Sequence, residues 1–271
     1  MSKWRGLNVV RLVLVGILAA AFAGCGRDKA PSPLKPRSLT IAAAANLRFA
    51  FDVLVNDFNR DHPDIQAKVT YGSSGNYFAQ LSNKAPFDVF FSADTAYPHQ
   101  LVEKGLALAD SEFVYAVGQL VVWVPSSSSI DVEKLGLEAL LDPSVRKIAM
   151  ANPRVAPYGR AAEEALRKRG VHDRVQDKIV LGEDITQTAQ FVESGAADVG
   201  LIALSMALAP AMRNKGRYWL VPTDAHAPLA QGAVILNWAK DRAAADAFCK
   251  FVTSDRGQDI MKRFGFIRPE K

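Results

Sequence analysis

The stretch Tyr71-Gly-Ser-Ser-Gly-Asn76 is where residue type and spacing first point to chemistry in this 271-residue chain. It follows a strand-like run at residues 65–70 and opens a helix-like run at 77–81. Glycine tolerates the tight backbone of such a turn. The helix it opens leaves N–H groups without intrahelical partners. Those donors, the positive end of the helix and the two hydroxyls make a seat for an anion. The same spacing suits Ser73 or Ser74 as a simple helix cap, and at this level the two readings are equal. A third reading is nucleophilic. A serine hydrolase elbow has the form G-x-S-x-G, but after Gly72-Ser73-Ser74-Gly75 the last position holds Asn76. The four histidines, His62, His99, His172 and His226, have no triad or metal-site spacing. His62 precedes Pro63 in a helix-ending turn, and the other three sit in polar, surface-like surroundings.

The elements that must position this turn follow from hydrophobic periodicity. Residues 38–45 form a buried-strand pattern, Asn46 fits an N-cap, and 47–59 place Leu47, Phe51, Leu54, Val55 and Phe58 on one helix face. Strand 65–71, a short helix to about Lys84, strand 87–92 with apolar residues on both faces, and helix 95–104 come next. This alternation is the signature of a parallel α/β sheet. Residues 115–124 read as one long strand that crosses into a second lobe, where alternation resumes. There, 147–151, 179–181, 197–203 and 218–221 are strands, 135–141, 160–169 and 185–194 are helical, and 152–159 is a loop. Strand 230–237 returns to the first lobe, and helices 243–252 and 257–264 close it. The expected architecture is two α/β lobes, lobe 1 from 38–116 and 231–271 and lobe 2 from 117–230. Ligands of such sheets bind beyond the carboxyl ends of the strands. Four strand-to-helix junctions lie there: Ala45-Asn46, Ser73-Ser74, Pro157-Tyr158-Gly159 and Glu183-Asp184-Ile185.

The first 24 residues read as an export signal. Lys3, Arg5 and Arg11 precede an apolar run of about twelve residues, too short for a membrane span of roughly twenty. Phe22-Ala23-Gly24-Cys25 resembles a lipobox that would acylate Cys25, which is the favoured reading, while Ala21-Phe22-Ala23 also fits ordinary signal cleavage. Residues 25–37 carry Pro31, Pro33 and Pro36 and read as an extended tether. Without the leader, Lys+Arg falls from 33 to 30 against 28 Asp+Glu, a balance too even for a nucleic-acid groove. Two cysteines, Cys25 and Cys249, exclude a disulfide framework and paired-cysteine metal sites. Cys249 falls on the apolar side of a closing helix and reads as core.

Seven segments together carry a family resemblance. They are Ile41-Ala-Ala-Ala-Ala-Asn46, Tyr71-Gly-Ser-Ser-Gly-Asn76, Ala85-Pro-Phe-Asp-Val-Phe-Phe-Ser-Ala-Asp94, Asn152-Pro with Pro157-Tyr-Gly159, Gly182-Glu-Asp-Ile185, Asp198-Val-Gly-Leu-Ile202 and Lys262-Arg-Phe-Gly-Phe266. In that order and spacing, the chain from about Leu39 to Ile267 resembles the molybdate-binding proteins of molybdate ABC transporters, the ModA family. The resemblance implies a two-lobed type II periplasmic-binding fold closing on one oxyanion, molybdate or tungstate. It places the ligand against Ala45, Asn46, Ser74, Tyr158 and Ile185, held by N–H and hydroxyl donors with no countercharge. Some members offer a tyrosine hydroxyl where this chain has Ala203, and a small residue where it has Tyr158. The Asn46/Tyr158 pairing matches the branch with asparagine in the first loop. The expectation is a monomeric periplasmic carrier, anchored to the membrane if Cys25 is acylated. It would serve an ABC permease, with no cofactor and no catalysis. A sulfate or thiosulfate carrier and a secreted serine hydrolase are the alternatives.

Overall fold

The computed structural model describes residues 36–270. The export signal, Cys25 and all but the end of the tether lie outside the described residues. Ten strands run β1 (Arg37–Ala44), β2 (Ile65–Gly72), β3 (Val89–Phe91), β4 (Phe113–Gly118), β5 (Leu120–Pro125), β6 (Ile148–Ala151), β7 (Ile179–Gly182), β8 (Val199–Ala203), β9 (Gly216–Leu220) and β10 (Leu229–Ile235). They form two five-stranded sheets, ordered β2-β1-β3-β10-β4 and β7-β6-β8-β5-β9. In the first sheet β1 is parallel to β2 and β3, while β10 runs antiparallel to β3 and β4. The second repeats the plan: β6 is parallel to β7 and β8, and β5 is antiparallel to β8 and β9.

Each sheet buries its central strands because they are apolar on both faces. Every residue of β3, β6 and β8 is buried. Helix Arg48–Asp61 sets Phe51, Leu54 and Phe58 against the first sheet and stops at His62, whose N–H reaches Phe58 O. Pro63 follows and cannot extend it. Phe51, Phe58, Phe91, Tyr115 and Phe248 form one aromatic cluster, with Phe51–Phe91 centroids 5.0 Å apart and Phe58–Phe248 5.1 Å apart. Phe248 comes from the closing helix Arg242–Thr253, which buries Cys249 as well.

Four expectations need correction. The apolar run at 115–124 is two strands: β4 ends at Gly118, β5 begins at Leu120, and the two belong to different sheets. Asn46 caps nothing. It sits inside a 3-10 turn, Ala45–Leu47, that joins β1 to the helix beyond. The helix expected from Arg160 begins at Pro157, since proline suits the first helical turn, so Tyr158 is helical rather than in a loop. His226 is buried and donates through Nδ1 to Ala227 O at 2.7 Å. No described helix is long and apolar enough to cross a membrane.

Candidate functional site

Four strand ends aim their following turns at one place. Beyond β1 lie Ala45 and Asn46. Beyond β2, Ser74 starts helix Ser74–Ser82. Beyond β6, Tyr158 lies in the first turn of helix Pro157–Lys168, and beyond β7, Ile185 starts helix Ile185–Glu193. All five residues are buried and line one small cavity between the two sheets, with ≈ 220 Å³ of empty space including its open mouth. As first-turn residues they have N–H groups with no intrahelical acceptor. Among the described residues none of these N–H groups bonds to another part of the fold.

The two serines divide the roles that their sequence left open. Ser73 is the cap: its Oγ accepts from Asn76 N at 3.4 Å. Ser74 is 1% exposed, and its Oγ accepts from Ala93 N at 2.9 Å. A hydroxyl has one proton to give, and Ser74's acceptor side is occupied, so the proton is free for the cavity. Asp184 caps the helix at Ile185, accepting from Thr186 N at 2.8 Å and Gln187 N at 2.9 Å. That leaves Ile185 N–H alone at the tip. Glu183 Oε1 accepts from Asn76 Nδ2 at 3.1 Å, on the other side of the cleft.

Tyr158 Oη accepts from Gln231 Nε2 at 3.3 Å, and the Asn46 side chain and Gln119 N–H also face it. Burial pushes the phenol's pKa upward, and the facing donors offset part of that. Tyr158 is therefore a neutral donor at physiological pH. Asn46 Nδ2 donates to Gln231 Oε1 at 3.0 Å, while Asn46 Oδ1 is buried with no partner among the described residues. Among the described residues no lysine, arginine or histidine lines the cavity, and the one acid there, Asp184, is committed to capping.

Contacts around the rim join the lobes. Gly75 N donates to Val155 O at 2.8 Å, Ser205 Oγ donates to Asn46 O at 2.8 Å, and Arg160 pairs with Asp94 while donating to Tyr97 Oη at 3.2 Å. Sequence reasoning missed Arg160, Asp94 and Gln231. Only Gln231 had a visible signal, as a fully buried polar residue inside an otherwise apolar strand.

A family of bacterial extracellular solute-binding proteins matches residues 39–267. A molybdate-binding protein ModA from Rhodobacter capsulatus is 37% identical over 201 residues, 73% of this chain and 77% of that protein. Its namesake from Azotobacter vinelandii is 33% identical over 255 residues, 93% of this chain and 96% of that protein. The chain belongs to the ModA family. The solved Azotobacter vinelandii periplasmic molybdate-binding protein superposes with a TM-score of 0.80 at 32% identity, covering 86% of this chain and all of that one. The ModA fold accounts for the two similar sheets, and for a β4-to-β5 junction where the chain changes lobe within one residue, Gln119.

Proposed function

We propose that this ModA-family protein captures molybdate, and tungstate as its near-isostere, and delivers it to an ABC permease without covalent chemistry. The observation that carries this is the cavity itself: four helix and turn starts from two sheets converge on it with free hydrogens and, among the described residues, no cation. Ala45, Asn46, Ser74, Tyr158 and Ile185 are the proposed ligand residues. Molybdate and tungstate are fully deprotonated dianions near neutral pH, so a site made of donors suits them. Hydrogen bonds to a charged group contribute about 1.5–3 kcal/mol each. Roughly half a dozen support micromolar binding, about −8 kcal/mol, after the cost of ordering the lobes. Hydrolysis has no support in this geometry. Ser74 has no histidine beside it, and none of the four histidines lines the cavity.

Titration calorimetry of the mature domain with molybdate, tungstate, sulfate and monohydrogen phosphate tests the reading. The expected order is molybdate and tungstate tight, sulfate weaker, phosphate weakest. Phosphate is the informative arm, because the unpartnered Asn46 Oδ1 is an acceptor that a protonated anion could use. Phosphate or sulfate binding as tightly as molybdate overturns the assignment. A narrower expectation concerns Tyr158→Phe. It removes a donor and strands the buried Gln231 amide, so molybdate affinity should fall about tenfold. Unchanged affinity would mean that the phenol only fills space.

A further inference from the structure

One buried polar side chain behind the cage touches two of its side-chain donors, Asn46 and Tyr158, from opposite lobes. Gln231 is 0% exposed and sits in β10, where the register against β4 shifts between Gln231 and Gly232. Such a bulge re-aims a side chain. Its Oε1 accepts from Asn46 Nδ2 at 3.0 Å and lies 2.9 Å from Tyr115 Oη, which is also 2.8 Å from Ser92 O. Its Nε2 donates to Tyr158 Oη at 3.3 Å. Gly118 makes room for this arrangement: a Cβ there would collide with Tyr158 Oη and Gln231 Nε2. The space is left at the point where the chain passes from one lobe to the other.

We infer that Gln231 is a positioning residue of the oxyanion cage, fixing which atoms of Asn46 and Tyr158 present hydrogens to the ligand and so favouring a fully deprotonated anion. This rests on the oxyanion-carrier reading above. The argument is one of hydrogen-bond polarity. Gln231 Nε2 donates to the phenol oxygen, and the Asn46 side chain and Gln119 N–H lie near it. Tyr158's own proton has no acceptor among the described residues, so the ligand is its natural destination. An acceptor in place of Nε2 would draw that proton backwards, out of the cavity. A carboxamide is the side chain that offers an acceptor to one partner and a donor to the other without a charge.

The test is Gln231→Glu, which keeps shape and changes polarity. A glutamic acid held protonated can still donate to Tyr158; once ionised it accepts instead and adds a negative charge behind a dianion. Burial raises the pKa of such a carboxyl, so the donor form persists at lower pH and is lost as pH rises through the raised value. The other titratable groups facing the site are the phenols of Tyr115 and Tyr158, both held protonated by burial, with Asp94 beyond Tyr115 and paired to Arg160. Calorimetry with molybdate and with phosphate is run across pH on the wild type, Gln231→Glu and Gln231→Leu, with ligand-free melting temperatures measured alongside. The expected result is a Gln231→Glu loss of at least about tenfold that deepens as pH rises, set against a pH-independent loss in Gln231→Leu. Both variants should also narrow the molybdate-to-phosphate ratio. Wild-type affinity and selectivity in both variants overturns the inference. So does an equal, pH-independent loss in the two, which would mark Gln231 as packing alone. Absence of molybdate binding by the wild type would instead sink the carrier reading itself.

Discussion

Replacing Asn46 with aspartate should weaken molybdate binding by roughly a thousandfold, about 4 kcal/mol. Three effects combine in one nearly isosteric change. The amide hydrogens are lost, including the one that reaches Gln231 Oε1 at 3.0 Å. Two acceptors then face each other in a buried site. A carboxylate also enters a cavity proposed for a dianion and lined by no cation among the described residues. Burial and the dianion both favour the neutral acid, raising the carboxyl's pKa above its ordinary value. Binding should therefore recover in part as pH falls from about 8 to about 6, the direction in which the acid regains its proton. Calorimetry at the two ends of that range measures both the loss and the recovery. A loss of only a few-fold, with no pH dependence, would mean that Asn46 does not contact the ligand.

Gly75→Ala should reduce affinity about a hundredfold by a different route, leaving the donors intact but keeping the lobes apart. A Cβ on Gly75 would lie 2.8 Å from Val155 Cα, from Val155 O and from Tyr97 Oη. Two of those atoms are backbone on the far side of the cleft and cannot rotate away. The cross-cleft bond from Gly75 N to Val155 O goes with them. Its loss and the misplacement of Ser74 against Tyr158 together account for about 2–3 kcal/mol. Without ligand the variant should melt close to the wild type, because alanine is the better helix former and a small separation of the lobes would relieve the clash. Thermal shift with and without molybdate separates these effects. A full ligand-induced shift in Gly75→Ala would show that closure at this contact plays no part in binding.

Much of the architecture was legible because β/α alternation writes itself into hydrophobic period. Strand 87–92 was readable as central from its apolar faces, and β3 lies there, shortened to Val89–Phe91. The break at Gly118 was not readable, since hydrophobic residues continue on both sides and only the sheet each half joins tells them apart. Asn46 looked like a cap because asparagine before an apolar helix usually is one. Here the chain inserts a 3-10 turn and sends that side chain inward to Gln231. The four junctions that hold the proposed ligand residues could be brought together because each follows a strand end, and the family resemblance singled out the five residues within them. Their support could not. Gln231 meets Asn46 across 185 positions and Arg160 meets Asp94 across 66, distances at which local pattern carries no information.

The division of the proposed cage between two sheets has a mechanical consequence. Ala45, Asn46 and Ser74 belong to one half; Tyr158 and Ile185 belong to the other. Free energies of contacts add, so affinities multiply. On the proposed reading, a site worth about −8 kcal/mol when whole would leave roughly −4 kcal/mol in either half, which is the step from micromolar to millimolar. Nothing need displace the anion to dislodge it. A permease that pries the halves apart has already lowered the grip about a thousandfold, and no residual ion pair would tether the cargo to either side.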